Sequence, residues 1–142
     1  MTTQFSPSAS RTAGALRTAL STRVVIADGA MGTMLQEANP SLEDFQGHDG
    51  CNEILNVSRP DIVRTVHEAY LEVGVDAIET NTFGANWANL AEYGIESRIY
   101  ELAKAGAVIA REVADKFSTS EKPRFVLGSL GPGTKLPSLG HT

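Results

Sequence analysis

Three short apolar runs, Val24-Val25-Ile26, Val75 to Glu79 and Phe125-Val126-Leu127, start about fifty residues apart, and each empties into a glycine- or hydroxyl-rich bend. That interval accommodates a crossover helix plus extra loop, so the runs are predicted to pair in parallel. Parallel strands are normally covered on both faces, and their carboxyl ends are where α/β folds place chemistry. Attention therefore falls on the bends: Ala27-Asp28-Gly29-Ala30-Met31-Gly32-Thr33, Thr80-Asn81-Thr82-Phe83-Gly84 and Gly128-Ser129-Leu130-Gly131-Pro132-Gly133.

Helical signals fill the intervals. Ser58-Arg59-Pro60-Asp61 reads as a capping box, with Ser58 as N-cap, proline in the first turn and Asp61 facing the positive end of the helix dipole. The helix it opens is predicted to reach Gly74 as C-cap, with Ile62, Val66, Ala69, Tyr70 and Val73 as its apolar stripe and Arg64, Glu68 and Glu72 facing away. A second helix, roughly Glu96 to Phe117, places Ile99, Leu102, Ala103, Gly106, Ile109, Ala110 and Val113 on one side, and Gly106 permits close packing there. A shorter helix is expected from Ala85 to Tyr93, ended by Gly94. Another spans about Ser8 to Thr22, after a frayed start over the first seven residues.

Composition narrows the function. With 142 residues, 42% of them hydrophobic, the chain can bury one sizeable core. Its net charge of -5 comes from acids spread along the sequence without a basic cluster, which argues against nucleic acid or an anionic membrane as partner. No apolar run approaches membrane-spanning length and no secretory signal opens the chain, so a cytoplasmic protein with a small-molecule partner is expected. A single cysteine, Cys51, excludes an internal disulfide. Three strand-helix units leave sheet edges unpaired, so the chain reads as the beginning of a larger domain that self-associates or stays partly molten when isolated. It divides into an N-terminal extension and helix, 1–22, and the start of the α/β domain, 23–142.

Individual side chains carry two readings each. Asp28 with the amides of the glycine bend could hold a group bearing both charges, such as the α-carbon end of an amino acid; equally, it could cap the next segment. His48 and Cys51 resemble a metal pair, but two ligands in a polar loop fall short of a zinc site. His67 is expected as a partly packed surface histidine, and Phe83 and Trp87 as core or rim packing. A nucleotide-binding domain is disfavoured, because neither Gly29-x-x-Gly32 nor Gly128-x-x-Gly131-x-Gly133 has dinucleotide spacing and Asp28 would repel a phosphate.

Four blocks in register, Ile26 to Met34, Asn52 to Val63, Glu79 to Asn86 and Leu127 to Pro132, resemble the homocysteine-binding module of cobalamin-dependent methionine synthases. The resemblance runs from about Arg23 to the end of the chain. It implies an incomplete (β/α)8 TIM barrel, about the first three strand-helix units preceded by an N-terminal helix. It also implies that the complete enzyme moves a methyl group from methylcobalamin to homocysteine and is recharged from methyltetrahydrofolate, through folate, cobalamin and reactivation domains.

By the same resemblance Asp28 would contact the substrate ammonium, and the amides around Gly29, Ala30 and Met31 its carboxylate. Asn81 and Thr82 would line the pocket or hold the loop together, and Glu79 would point inward near the strand end or support the loop. Gly131-Pro132-Gly133 reads as a rigid rim. Zinc in that family sits on three cysteines from later strands, so neither zinc nor cobalamin is expected on this chain alone, and the isolated segment is expected to be inactive. The alternatives are a segment of a cobalamin-independent homocysteine S-methyltransferase, or a non-catalytic α/β interaction domain whose open sheet edges recruit another chain.

Overall fold

The computed structural model describes residues 7–134 and Gly140. In chain order it contains α1 (Pro7–Thr22), α2 (Met31–Glu37), a 3-10 turn (Asn52–Ile54) running into α3 (Leu55–Ser58), α4 (Pro60–Glu72), β1 (Ala77–Glu79), α5 (Trp87–Ala91), a second 3-10 turn (Glu96–Arg98), α6 (Ile99–Phe117) and β2 (Phe125–Leu127). The frayed start expected over residues 1–7 lies almost wholly outside the described residues, and Pro7 is already helical. Among the described residues no helix is long and apolar enough to cross a membrane.

β1 and β2 pair in parallel, with Ala77 opposite Phe125, Ile78 opposite Val126 and Glu79 opposite Leu127. The first apolar run lies along the other edge of β1. It contributes a parallel bridge, Ala27 to Ala77, and its Ile26 carbonyl accepts the Asp76 and Ala77 amides at 2.8 and 3.1 Å. The parallel arrangement and the sequence order of the three runs are thus as the spacing predicts.

What pins the first run is an ion pair. The Arg23 guanidinium donates to both carboxylate oxygens of buried Asp76 at 2.8 Å, and the Ile26 amide adds a third bond at 3.0 Å. The guanidinium accordingly holds the Asp76 carboxyl below its ordinary value. One expectation fails here: the run is not a strand buried on both faces. Val24 is 83% and Ile26 58% exposed, because α4 and α6 cover one face of the sheet and no described element covers the other.

The main core lies between the sheet and α2, α4 and α6, where Leu35, Leu55, Val63, Val66, Ile78, Ile109 and Val113 meet. On α6 the predicted side is the buried one, and Gly106 is the point of closest approach. A Cβ there would stand 2.8 Å from Asn56 Nδ2 and 2.9 Å from Thr82 Cγ2. A second cluster of Cys51, Ile54, Leu90, Ile95 and Leu102 lies beneath α5.

α4 departs from expectation in three ways. Its N-cap is Arg59, not Ser58: Ser58 closes α3 and its hydroxyl donates to the Ile54 carbonyl, 3.1 Å away. The buried arc is Ile62, Val63, Val66, His67 and Leu71, rotated from the predicted stripe, and Val73 is exposed as the C-cap residue. The rotation follows from the flank pressed against α6, where Arg64 pairs with Glu112 and Lys116 with Glu68. Gly74 ends the helix at φ +102, as predicted.

His67 is consequently no surface residue. It is fully buried, and neither ring nitrogen has a hydrogen-bond partner among the described residues. Burial, with Arg64 nearby, pushes its pKa down to about 4. The unfolded chain takes up this proton near pH ~6.5 and the folded chain only near 4, so folding stability should fall as pH drops through that interval. His67→Leu should abolish that acid loss and add about 1 kcal/mol at neutral pH by removing buried unpaired polar atoms. Urea denaturation of both proteins at pH 7.5 and 5 checks both effects.

Candidate functional site

At the carboxyl ends of the paired runs lies a cleft of about 560 Å³, bounded by the bends after the first run, β1 and β2 and by the Gly50–Glu53 segment. Asp28, Glu53, Glu79 and Glu92 all line it, and no described lysine, arginine or histidine does. Its field therefore favours a cationic group.

Asp28 bridges two of the bends. Its backbone amide donates to the Ala77 carbonyl at 3.0 Å, which ends the pairing of the first run, and its carboxylate accepts the Glu79 amide through both oxygens at 2.9 and 3.0 Å. Half-burial pushes the Asp28 carboxyl up to about 6; the Glu79 amide opposes the shift and the Glu79 charge adds to it. Glu79 in turn accepts the Ser129 hydroxyl at 3.1 Å. Asp28 thus caps no helix: its carboxylate faces the neighbouring strand end, at the cleft wall.

Beyond Asp28 the chain turns into α2. Gly29, Met31 and Gly32 line the cleft, and α2 begins at Met31 with Ala30 as N-cap and no side-chain cap. The amides of Gly29, Ala30 and Met31 have no protein acceptor among the described residues. The two glycines are not sterically forced, since a Cβ at Gly29 or Gly32 would meet atoms at ordinary contact distance.

The bend after β1 is held from two sides. On one, a closed chain of hydroxyls and backbone runs from the Ser129 amide to Thr80 Oγ1 (3.0 Å), from Thr80 Oγ1 to Thr82 Oγ1 (2.6 Å) and from Thr82 Oγ1 to the Ser129 carbonyl (2.8 Å). The Thr82 donor is spent inside this ring, and of this bend Thr80, Asn81, Phe83 and Gly84 line the cleft while Thr82 does not. On the other side, Asn81 Nδ2 donates to the Asn52 carbonyl at 2.9 Å and to Asn56 Oδ1 at 3.0 Å, while Asn56 Nδ2 returns a bond to the Asn81 carbonyl at 2.8 Å. Both residues thus tie the loop together, Asn81 also lining the cleft and Thr82 lying behind its wall.

Phe83 lines the cleft and is exposed, Trp87 is exposed at the start of α5, and Gly131 closes against Phe83, donating its amide to that carbonyl at 3.0 Å. α5 begins two residues later than predicted, capped by Asn86, whose side chain accepts the Asn89 amide at 3.0 Å.

The Asn52–Asn56 turn carries residues to which the sequence reading gave no role. Glu53 and Asn56 are both buried. The available signal was two polar positions inside the apolar run Cys51, Ile54, Leu55, Val57. Cys51 lies not in a polar loop but in the second core cluster, and burial together with the Glu53 charge pushes its thiol up to about 11. His48 stacks edge-on against Tyr93, with ring centres 6.2 Å apart. Among the described residues, no group of three or more His, Cys, Asp and Glu side chains is placed to hold a metal ion.

A parallel α/β scaffold with an acidic cleft at its strand ends defines a class, and comparison with known proteins identifies it. The sequence pattern of the homocysteine S-methyltransferases matches residues 25–142, and the chain belongs to that family. Among its relatives are the methionine synthases of Mycobacterium tuberculosis and Mycobacterium leprae, 58% and 57% identical over 123 residues that make up 87% of this chain. The chain spans 10% of the length of each. The homocysteine methyltransferase MmuM of Escherichia coli, solved in metallated and oxidised forms, is similar in fold, with a TM-score of 0.66 in both cases. Identities are 25% and 24%, over 82% of this chain and 41% and 40% of those chains.

Proposed function

We propose that the cleft is the amino-acid end of a homocysteine site and that the chain is the start of the homocysteine-binding barrel of a methionine synthase. Three parallel runs in sequence order with helices on one face match the opening of such a barrel, and its remaining units would cover Val24 and Ile26. Asp28 receives the ligand ammonium, and the free amides of Gly29, Ala30 and Met31 receive its carboxylate. Asn81 shapes the wall, and Thr82 holds that wall to the β2 bend. The observation that carries this reading is Asp28 beside amides that have no acceptor among the described residues, in a cleft lined by acids.

In the complete protein the bound thiol would take a methyl group from methylcobalamin, a donor that rests on the family resemblance. Zinc, which supplies thiolate activation in that setting, does not fit this chain: the single cysteine is buried with a raised pKa, and no described cluster offers enough ligands. The residues present bind and orient the amino-acid end. Folate, cobalamin and reactivation domains are the expected partners within the same polypeptide.

The test follows from the Asp28 titration. Below about pH 6 the empty site holds a proton that the ammonium must displace. Homocysteine affinity in the complete enzyme should therefore rise about fivefold between pH 5 and 6 and level off by about pH 7. Isothermal titration across that range measures it, and a flat profile would remove Asp28 as the charged partner.

A further inference from the structure

Of the acids lining the cleft, Glu53 is the buried one, and among the described residues no cation pairs with it. Asp76, buried to a similar degree, has Arg23. A side chain that served packing alone would be better apolar beside Ile54 and Leu90, because an uncompensated buried carboxylate is costly. What Glu53 does have is the backbone of the opposing bend. Its Oε1 accepts the Gly84 amide at 2.7 Å, and the Cys51 thiol points to Oε2 at 3.8 Å. The carboxylate lies directly against this glycine, since a Cβ on Gly84 would stand 2.8 Å from Oε1 and 2.9 Å from Oε2.

The same turn holds the same bend at its other end, through the Asn52 carbonyl and the Asn56 amide on Asn81. Thr80–Gly84 is thus fixed at Asn81 and at Gly84, and it forms a wall of the cleft whose far side is the Asp28 bend. A shift at Gly84 would move the lining residues Phe83 and Gly84 and load the anchors at Thr82 and Asn81, next to Thr80, which directly follows the Glu79 amide that orients Asp28.

We infer that Glu53 is a positioning residue for the ligand of this cleft, acting by holding the Gly84 amide so that the Thr80–Gly84 bend keeps its shape. The inference rests on the homocysteine reading above and adds a residue that touches no ligand itself.

Three variants of the complete enzyme test it. Glu53→Gln keeps an oxygen for the Gly84 amide, Glu53→Asp keeps the charge but withdraws the oxygen by one methylene, and Glu53→Ala removes both. Titrated with homocysteine, the Gln variant should stay within about threefold of wild type, whereas the Asp and Ala variants should bind about tenfold more weakly, the KM rising by the same factor with kcat little changed. Amide exchange of residues 80–84 in ligand-free enzyme should quicken in Asp and Ala and stay slow in Gln.

A purely structural role predicts lower melting temperatures with unchanged homocysteine affinity, and that outcome overturns the inference. Equal weakening in Gln and Ala also overturns it, because the carboxylate would then be touching the ligand. If wild-type enzyme takes up no homocysteine, the functional reading fails. The exchange rates still judge Glu53: equal protection of residues 80–84 in all variants removes its hold on the bend. If the Ala variant does not fold, the Asp variant carries the comparison.

Discussion

Asp28→Asn in the complete enzyme should weaken homocysteine binding by about 1.5 to 3 kcal/mol, roughly ten- to over a hundredfold in affinity, without lowering the melting temperature. The substitution keeps size and one acceptor oxygen but removes the charge proposed to meet the ammonium. In the ligand-free protein it relieves a carboxyl that half-burial and Glu79 already push up to about 6, so folding loses little at neutral pH. The pH dependence of binding below 6 should vanish with it. A turn-holding role makes the opposite prediction, because losing one of the two bonds to the Glu79 amide would lower stability and leave affinity intact. Titration calorimetry beside a thermal melt separates the two, and normal affinity with a lowered melting temperature would strike Asp28 from the site.

Signals that depend on one element alone are legible in this sequence. The apolar side of α6, the glycine stops at Gly74 and Gly94 and the second and third apolar runs each state a local rule, and these elements appear within a few residues of their predicted places, whereas the first run contributes only the Ala27 to Ala77 bridge. Signals that depend on a neighbour are not. The α4 stripe rotates because α6 presses on its flank, so His67 is buried and Val73 is not. Ser58 has the composition of an N-cap, but the preceding 3-10 turn runs straight into α3 and claims it, which leaves Arg59 to start the next helix.

The site divides along the same line. Asp28 could be singled out because an acid after an apolar run, beside glycines, is informative without knowing its partner. The Glu53 carboxylate could not, because its partner is the amide of Gly84, thirty-one positions away, and backbone leaves no mark in the sequence. Thr82 illustrates the converse. A hydroxyl in a strand-end bend suggests a ligand contact, but Thr80 and the Ser129 backbone complete a hydrogen-bonded ring that consumes its proton.

Gly131→Ala should destabilise the chain by about 3 kcal/mol, at the upper end for inserting a single methyl group into a packed site. The new Cβ would overlap the Phe83 carbonyl oxygen and stand about 3 Å from the Phe83 ring, and the first of these is backbone that no rotamer change can move. Relief requires the two bends to part, which breaks the bond from the Gly131 amide to Phe83 and strains the Thr80–Thr82–Ser129 ring beside it. Both consequences fall on the wall opposite Asp28, so homocysteine affinity should drop together with the melting temperature. Gly128→Ala is the control, since a Cβ at that position meets nothing within 4 Å. Chemical denaturation and titration of both variants check the prediction, and equal stability of the two would show that the β2 bend yields freely and does not brace the cleft.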